Sequence, residues 1–374
     1  MWHAVKRVAP GLLLIALTAT ILLVADRAAR TPVSSPVPNI AILKFVSHPS
    51  LDDVEHGILA GLEQRGFVVD KTIHVRVLNA EGDMTTANSM ARAIVDGNYA
   101  LVVTITTPCL QAMANANKTR QLPHVFGSVT DPFSAGVGVT RTSHPPYLTG
   151  IGSFDPVEDV FDLARRLCPE LRKVGVVWNP AEACSQACLA KARPRCQKLG
   201  LELLEANVEN TSGVKEAVAS VVGRGAEAVW MTADNTVAAG APTVLAVAQE
   251  ARLPVFSNEP ARVSDGVLFA IGADYFQVGQ ATGELAGKVL AGRNDPKGLK
   301  PADVPVKDVL PRQLAVNLSA LRNLKGSWTV DRETQDQAAI LFDERGAKVR
   351  GLKPAAASGQ PSNSAKGAPQ SDGH

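Results

Sequence analysis

From residue 39 onward, short apolar runs alternate with stretches in which apolar residues recur every third or fourth position, the rhythm of strands and helices taken in turn. Residues 40–45 are an apolar run, and Leu51, Val54, Ile58 and Leu62 then set one face of a helix. Residues 73–78 alternate, with Ile73, Val75 and Val77 against His74 and Arg76, as a strand near a sheet edge does. Asp83 stands at a cap position ahead of Ala87, Met90, Ala91, Ile94 and Val95. A buried strand over 100–105, a helix over 109–118 and a strand over 124–129 complete a first series.

A second series follows the crossing segment 147–154. The pattern predicts a helix over 157–167, a strand over 173–178, a helix over 182–199, a strand over 201–206 and a helix over 214–222. Strand 226–231 leads into a helix opened by Asp234 and running to about Ala251, followed by a strand at 254–256 and a crossing strand at 267–272. Right-handed crossovers make such strands parallel, with helices on both faces. The predicted fold class is α/β: two Rossmann-like lobes with parallel sheets joined by crossing hinge strands. Residues 39–151 form lobe one, completed by about 272–302, and 152–271 form lobe two, completed by about 303–335. Segments 304–310 and 314–317 read as a late strand pair returning to lobe two. Residues 336–353 are a C-terminal extension. The Ala/Ser/Gly/Pro-rich stretch 354–374 cannot bury a core and is expected to be a disordered tail.

The N-terminus reads as a targeting segment. Lys6 and Arg7 precede an apolar stretch over 11–25, the layout of a signal peptide, and counting back to Val8 lengthens it toward a spanning helix. A cleaved signal peptide and a retained signal anchor both fit residues 1–30, with the Pro/Ser-containing 31–38 as a tether. Either places the bulk of the chain outside the cytoplasm, as a periplasmic protein.

Composition narrows the partner. A net charge of +2 and an aromatic content of 5% exclude a general case for nucleic-acid binding and leave a small ligand as the natural partner. The five cysteines (Cys109, Cys168, Cys184, Cys188 and Cys196) include a pair four apart on one helix. With no His and no Cys-x-x-Cys beside them, they are expected to be packing thiols, or to form a single disulfide involving Cys168, Cys188 or Cys196. No metal or cofactor is expected. No nucleophile elbow, P-loop or dinucleotide fingerprint sits at a strand-to-helix turn, so no enzyme activity is expected.

The chemistry lies at the strand ends. Apolar strands terminate in Ser47-His48-Pro49, Thr106-Thr107-Pro108, Thr130-Asp131-Pro132, Asn179-Pro180, Asp234-Asn235-Thr236 and Ser257-Asn258-Glu259, while Asp274 follows the crossing strand. Ligands of open α/β sheets bind beyond these carboxyl ends. Hydroxyl and amide donors at helix starts suit a carboxylate, and buried acids suit an ammonium, so a site with both suits an α-amino acid. No Arg or Lys occurs in these six loops, leaving backbone donors to neutralise a carboxylate placed at Thr106-Thr107-Pro108. Asp234 reads equally as a helix cap or a partner for the ligand's ammonium.

Seven segments carry a family resemblance: HPSLDDVEHGILAGLEQRGF (48–67), NAEGDMTTANSMARAIV (79–95), ITTPCLQAMANANK (105–118), VFGSVTDPFSAGV (125–137), KVGVVWNP (173–180), MTADNTV (231–237) and ADYFQVGQATGELAGKVLAG (273–292). In this order the chain resembles the ABC transporter substrate-binding proteins of the tryptophan/tyrosine type, which have the type I periplasmic-binding-protein fold. The resemblance implies a monomeric receptor that captures an amino acid or similar solute between two lobes and delivers it to ABC permease and ATPase subunits. It places Thr107, Pro108, Thr130, Asp131, Asn179, Glu182, Asp234, Asn235, Thr236 and Asp274 in ligand-facing loops, to which the strand-end pattern adds His48, Thr106 and Asn258. Three departures touch the pocket: Cys109 where the family usually has Ala, Cys184 where Asn is common, and Ser257-Asn258-Glu259-Pro260 in place of a Ser-Asp turn. The alternative is a ligand-sensing ectodomain that signals through a membrane partner.

Overall fold

The computed structural model describes residues 37–293, 295, 297–308 and 311–349. The expected signal segment 1–30, the tether up to residue 36 and the tail 354–374 lie outside the described residues. Among the described residues, no helix is long and apolar enough to cross a membrane.

The chain alternates β1 (Asn39–Lys44), α1 (Pro49–Gln64), β2 (His74–Asn79), α2 (Met84–Asp96), β3 (Leu101–Ile105), α3 (Thr107–Ala116), β4 (His124–Val129) and β5 (Leu148–Gly152). Asp83 caps α2 by accepting the Thr86 N–H at 2.6 Å. Then come α4 (Val157–Leu167), β6 (Lys173–Trp178), α5 (Ala183–Leu199), β7 (Glu202–Asn207), α6 (Val214–Gly223) and β8 (Ala228–Met231). The remainder is α7 (Asn235–Ala239), α8 (Ala241–Ala251), β9 (Val255–Ser257), β10 (Phe269–Ala273), α9 (Tyr275–Gly292), β11 (Lys307–Asp308), β12 (Arg312–Asn317), α10 (Arg332–Gln337), β13 (Ile340–Asp343) and β14 (Gly346–Val349).

Two sheets result. The first has the order β11-β5-β4-β3-β1-β2 and is parallel throughout. In the second, β14-β13-β12-β10-β9-β8-β6-β7, the run from β10 to β7 is parallel, while β12 lies antiparallel to β10 and β14 to β13. These are the two α/β lobes of the type I periplasmic-binding-protein fold. The edge position of β2 explains why Val77 stays 39% exposed despite its apolar alternation.

Two expectations are corrected. The segments 304–310 and 314–317 are not a pair: β11 joins β5 in the first sheet and β12 joins β10 in the second. Residues 303–335 therefore divide between the lobes. The helix expected from Asp234 to Ala251 breaks at Gly240, because Pro242 has no N–H to give the Ala238 carbonyl and its ring would crowd that oxygen. Arg262 Nη2 donates to the freed carbonyl instead, at 2.7 Å.

Each lobe has its own core. Lobe two is built around Phe161, which meets Trp230 edge-on at 4.8 Å between ring centroids and Phe256 at 5.6 Å, while Phe256 stacks on Phe269. In lobe one, α1 and α9 touch through glycines. A Cβ on Gly57, Gly61, Gly279 or Gly283 would come within 2.2 Å of a carbonyl oxygen of the opposite helix. This contact fixes the N-termini of both helices, which carry His48, Ser50 and Tyr275 toward the other lobe.

His124, fully buried at the start of β4, shares a hydrogen bond with Thr104 Oγ1 at 2.8 Å, and its Nδ1 has no partner. Burial drives its pKa from 6.5 down to about 3. The unfolded chain therefore takes up a proton in this window that the folded protein refuses. Stability attached to this group is complete above pH 6.5 and is lost as pH falls, at up to about 1.4 kcal/mol per pH unit. Denaturant titrations at pH 7 and pH 4.5 should show that loss in the wild type, with a shallower pH dependence in His124→Gln. Equal slopes in the two proteins would refute the assignment.

Candidate functional site

Between the lobes lies a cavity of about 40 Å3, room for about two or three water molecules. Lobe one lines it with His48 and Leu51 at the start of α1, Thr106 and Thr107 at the start of α3, Ser128 and Thr130 around the end of β4, and Tyr275 at the head of α9. Lobe two contributes Cys184, Ala233, Asp234, Asn235, Ala238 and Glu259, and Ser153 comes from the crossing after β5.

The start of α3 is strained and under-satisfied. Thr106 has φ of +84° and Ser128, across from it at the end of β4, +54°. For residues with side chains such conformations cost of order 1–3 kcal/mol and persist only where the surroundings impose them. The Thr106 N–H donates to the Gly127 carbonyl at 3.2 Å, which ties the turn to β4. The hydroxyls of Thr106 and Thr107 are both buried without a well-formed hydrogen bond, with the Cys109 thiol close enough to interact with that of Thr106. Two such hydroxyls at a helix N-terminus form a wall that favours an acceptor group carrying negative charge.

The lobes are bridged across the cavity. Ser50 Oγ donates to Glu259 Oε2 at 3.0 Å, and Arg262 Nε donates to the same oxygen at 2.9 Å. His48 Nδ1 lies 3.8 Å from it, too far for a hydrogen bond. Burial opposes the Glu259 charge, but Arg262, His48 and Ser50 together outweigh it and hold the carboxyl below the usual glutamate range. Burial pushes the His48 pKa down despite the pull of Glu259, so this imidazole is neutral near pH 7. Arg262 is the buried cation that the six-loop reading missed, because it sits three residues beyond the last loop.

In lobe two, acids hold the loops in place. Asp234 Oδ2 accepts the Asn179 N–H and the Ser185 hydroxyl, each at 2.6 Å, and Oδ1 caps α7 through the Val237 N–H at 2.8 Å. Burial and the neighbouring Glu182 push its pKa up to about 7, against these three donors. Glu182 accepts from both the backbone and the side chain of Asn235 and of Thr236. The Cys184 thiol donates to Glu182 at 3.3 Å; burial, Glu182 and Asp234 raise its pKa well above the ordinary range and keep it protonated. All five cysteines are free and buried, as the packing-thiol alternative has it rather than the disulfide.

Of the residues expected at the site, the fold brings His48, Thr106, Thr107, Thr130, Asp234 and Asn235 to the cavity wall. The others lie elsewhere. Pro108 is buried in the first turn of α3. Asp131 accepts the Phe133 and Ser134 N–H groups and faces a separate groove with Arg141 and Asp308. Asn179, Glu182 and Thr236 bond one another behind the wall of lobe two. Asn258 ties β8 to β10, accepting from Trp230 Nε1 and donating to the Ile271 carbonyl, both at 2.9 Å. Asp274 caps α9 through the Gln277 N–H at 3.1 Å. The pattern passed over Ser128, Ser153 and Tyr275, and from the loop Ser257-Asn258-Glu259 it chose Asn258 where Glu259 lines the cavity. Glu259 and Tyr275 each stand one residue beyond a residue that it chose.

The comparison with known proteins decides the family. The model described as ABC transporter substrate binding protein matches residues 39–328. This chain belongs to that family. Such proteins are solute-binding rather than catalytic, and they work outside the cytoplasm with the components of an ABC transporter. A tyrosine-binding protein of Clostridioides difficile is 30% identical over 286 residues, covering 76% of this chain and 80% of that protein. The substrate-binding protein's fold is similar to that of an ABC domain in complex with L-Trp from Streptococcus pneumoniae, 29% identical, with a TM-score of 0.75 over 81% of this chain and 99% of that one. A ligand-free, open substrate binding protein with adhesive properties from Clostridium difficile, also 29% identical, gives 0.57 over 79% and 97%. At equal identity, this chain superposes on the L-Trp complex with a higher TM-score than on the ligand-free form.

Proposed function

We propose that this protein is the extracytoplasmic receptor of an ABC importer and captures an amino acid of the aromatic class by closing its lobes over it. The observation that carries the reading is the pair of buried hydroxyls of Thr106 and Thr107, without a well-formed hydrogen bond, at the strained start of α3. They offer donors for a ligand carboxylate where the helix end already favours negative charge. The Ser50–Glu259 bridge supports closure, since it joins residues 209 positions apart across the cleft. The cavity of about 40 Å3 is smaller than an aromatic amino acid, so on this reading the lobes part to admit the ligand and stay further apart around it than they are here. The tyrosine- and L-Trp-binding relatives support the aromatic class, and the basic and apolar residues at the N-terminus support export.

A thermal-shift screen over the amino acids tests this. A ligand at a hundredfold excess over its Kd should add about 2.7 kcal/mol of stability. Replacing the carboxylate of that ligand by an amide should weaken binding by about 1.5–3 kcal/mol. Thr107→Val should melt no lower than the wild type without ligand, since it removes an unsatisfied hydroxyl, yet should bind roughly five- to tenfold more weakly. If no α-amino acid moves the melting temperature, the reading is overturned.

A further inference from the structure

Several carboxylates lie in and around the interlobe cleft, and most of them accept hydrogen bonds from named donors. Asp234 accepts three hydrogen bonds, and Glu182 takes the donors of Asn235 and Thr236. Glu259 is held by Arg262 and Ser50, and Asp274 by Gln277. Asp155 differs. It is 4% exposed, and its Oδ1 is the one carboxylate oxygen among the described residues that is buried without a hydrogen-bond partner. A buried acceptor left without a donor is destabilising, so a fold that keeps one calls for an occupant that supplies the missing donor.

We propose that Asp155 is the anchor for the ammonium group of the captured amino acid, a role that rests on the amino-acid reading above and deepens it. Asp155 lies in the crossing between β5 and α4, two residues after Ser153 of the cavity wall. The hydroxyl of Tyr275, which lines the cavity from lobe one, is within hydrogen-bonding reach of its carboxyl, and Glu259 and Cys188 of lobe two lie close enough to interact with it. Asp155 also borders the separate groove that carries Arg141 and Lys191, but its orphaned oxygen is buried. The group thus sits at the hinge, where both lobes reach it.

The chemistry is that of a primary ammonium. It supplies three donors and a positive charge beside two acids, Asp155 and Glu259, of which the second is already balanced by Arg262. Burial and Glu259 hold the Asp155 pKa well above the carboxylate range, so an arriving cation meets a group that gains from its charge. With the Thr106 and Thr107 hydroxyls on lobe one as the carboxylate end, the site would read both charges of a zwitterion. A ligand with one of the two would lose half of its recognition.

The test is a four-way calorimetric comparison of full-length wild type and Asp155→Asn, each titrated with L-tryptophan and with indole-3-propionate, its des-amino analogue; L-tyrosine and its des-amino analogue serve as the second pair. The wild type should bind the amino acid about thirtyfold or more tightly than the analogue. Asp155→Asn should lose a similar factor against the amino acid and bind the analogue as the wild type does, so that the two changes are strongly non-additive. Its melting temperature without ligand should match or exceed the wild type's, and Asp155→Ser provides a second, smaller replacement. Additive losses, or equal binding of acid and amino acid by the wild type, would overturn the ammonium anchor while leaving the receptor reading in place. Failure of every amino acid and analogue to bind would overturn both.

Discussion

Gly283→Val should destabilise the protein by about 3 kcal/mol or more, lowering Tm by roughly 6–12 °C. Gly283 faces Ile58 of α1, and a Cβ there would sit 2.1 Å from the Ile58 carbonyl oxygen, well inside any real contact. Valine in place of glycine gains some helix propensity, a few tenths of a kcal/mol, which is small beside the clash. The obstacle is backbone, so no rotamer change relieves it; the two helices must separate. Because α1 carries His48 and Ser50 and α9 carries Tyr275, the separation should also weaken ligand binding. Gly223→Ala is the control: a Cβ there meets nothing within 4 Å, and its stability should be unchanged or slightly higher. Denaturant unfolding of the two variants against wild type checks the prediction, and a Gly283→Val protein of wild-type stability would contradict the packing described for α1 and α9.

Asp234→Ala should cost about 3–5 kcal/mol. The substitution removes the cap of α7 and leaves the Asn179 N–H and the fully buried Ser185 hydroxyl without their acceptor. Loss of a cap alone costs about 1 kcal/mol; the two stranded donors account for most of the rest. Since Asn235 and Cys184 ride on the same loops, binding should fall together with stability. Asp234→Asn keeps a capping oxygen and should lie between the alanine variant and the wild type. Thermal melts combined with ligand titration separate the two roles that the sequence leaves open. Lost binding at wild-type stability would place the ligand's ammonium on Asp234, and lost stability places the carboxylate in the frame of lobe two.

The alternation of strands and helices was legible because its causes are local. Apolar runs, period-3.6 faces and caps such as Asp83 act within one or two turns, so β1, β3, β4, α4 and β6 fall within a residue or two of their expected bounds. Where the reading failed, a distant partner was decisive. Pro242 foretold a break, but the long apolar face from Val237 to Ala248 masked it, and Arg262 made it tolerable by taking the Ala238 carbonyl. Residues 307–308 and 312–317 look alike as short strands, and which sheet each joins depends on an edge left open by β5 or by β10.

By itself, the sequence determined the fold class, the export-like N-terminus, the polar strand ends and the family to which they point. All of these follow from neighbours in the chain, through hydrophobic period, helix-end chemistry and motif order. Only the tertiary structure decided which polar groups face the cleft and which hold the lobes together. Asp234, Asn179 and Asn258 share the strand-end signature of Thr107, yet partners lying up to 57 residues away engage them inside lobe two. Asp155 carries no signature at all, and what marks it is a missing donor. A hydrogen bond is satisfied in space rather than in sequence, so the groups left over for a ligand emerge only when every other partner has been placed.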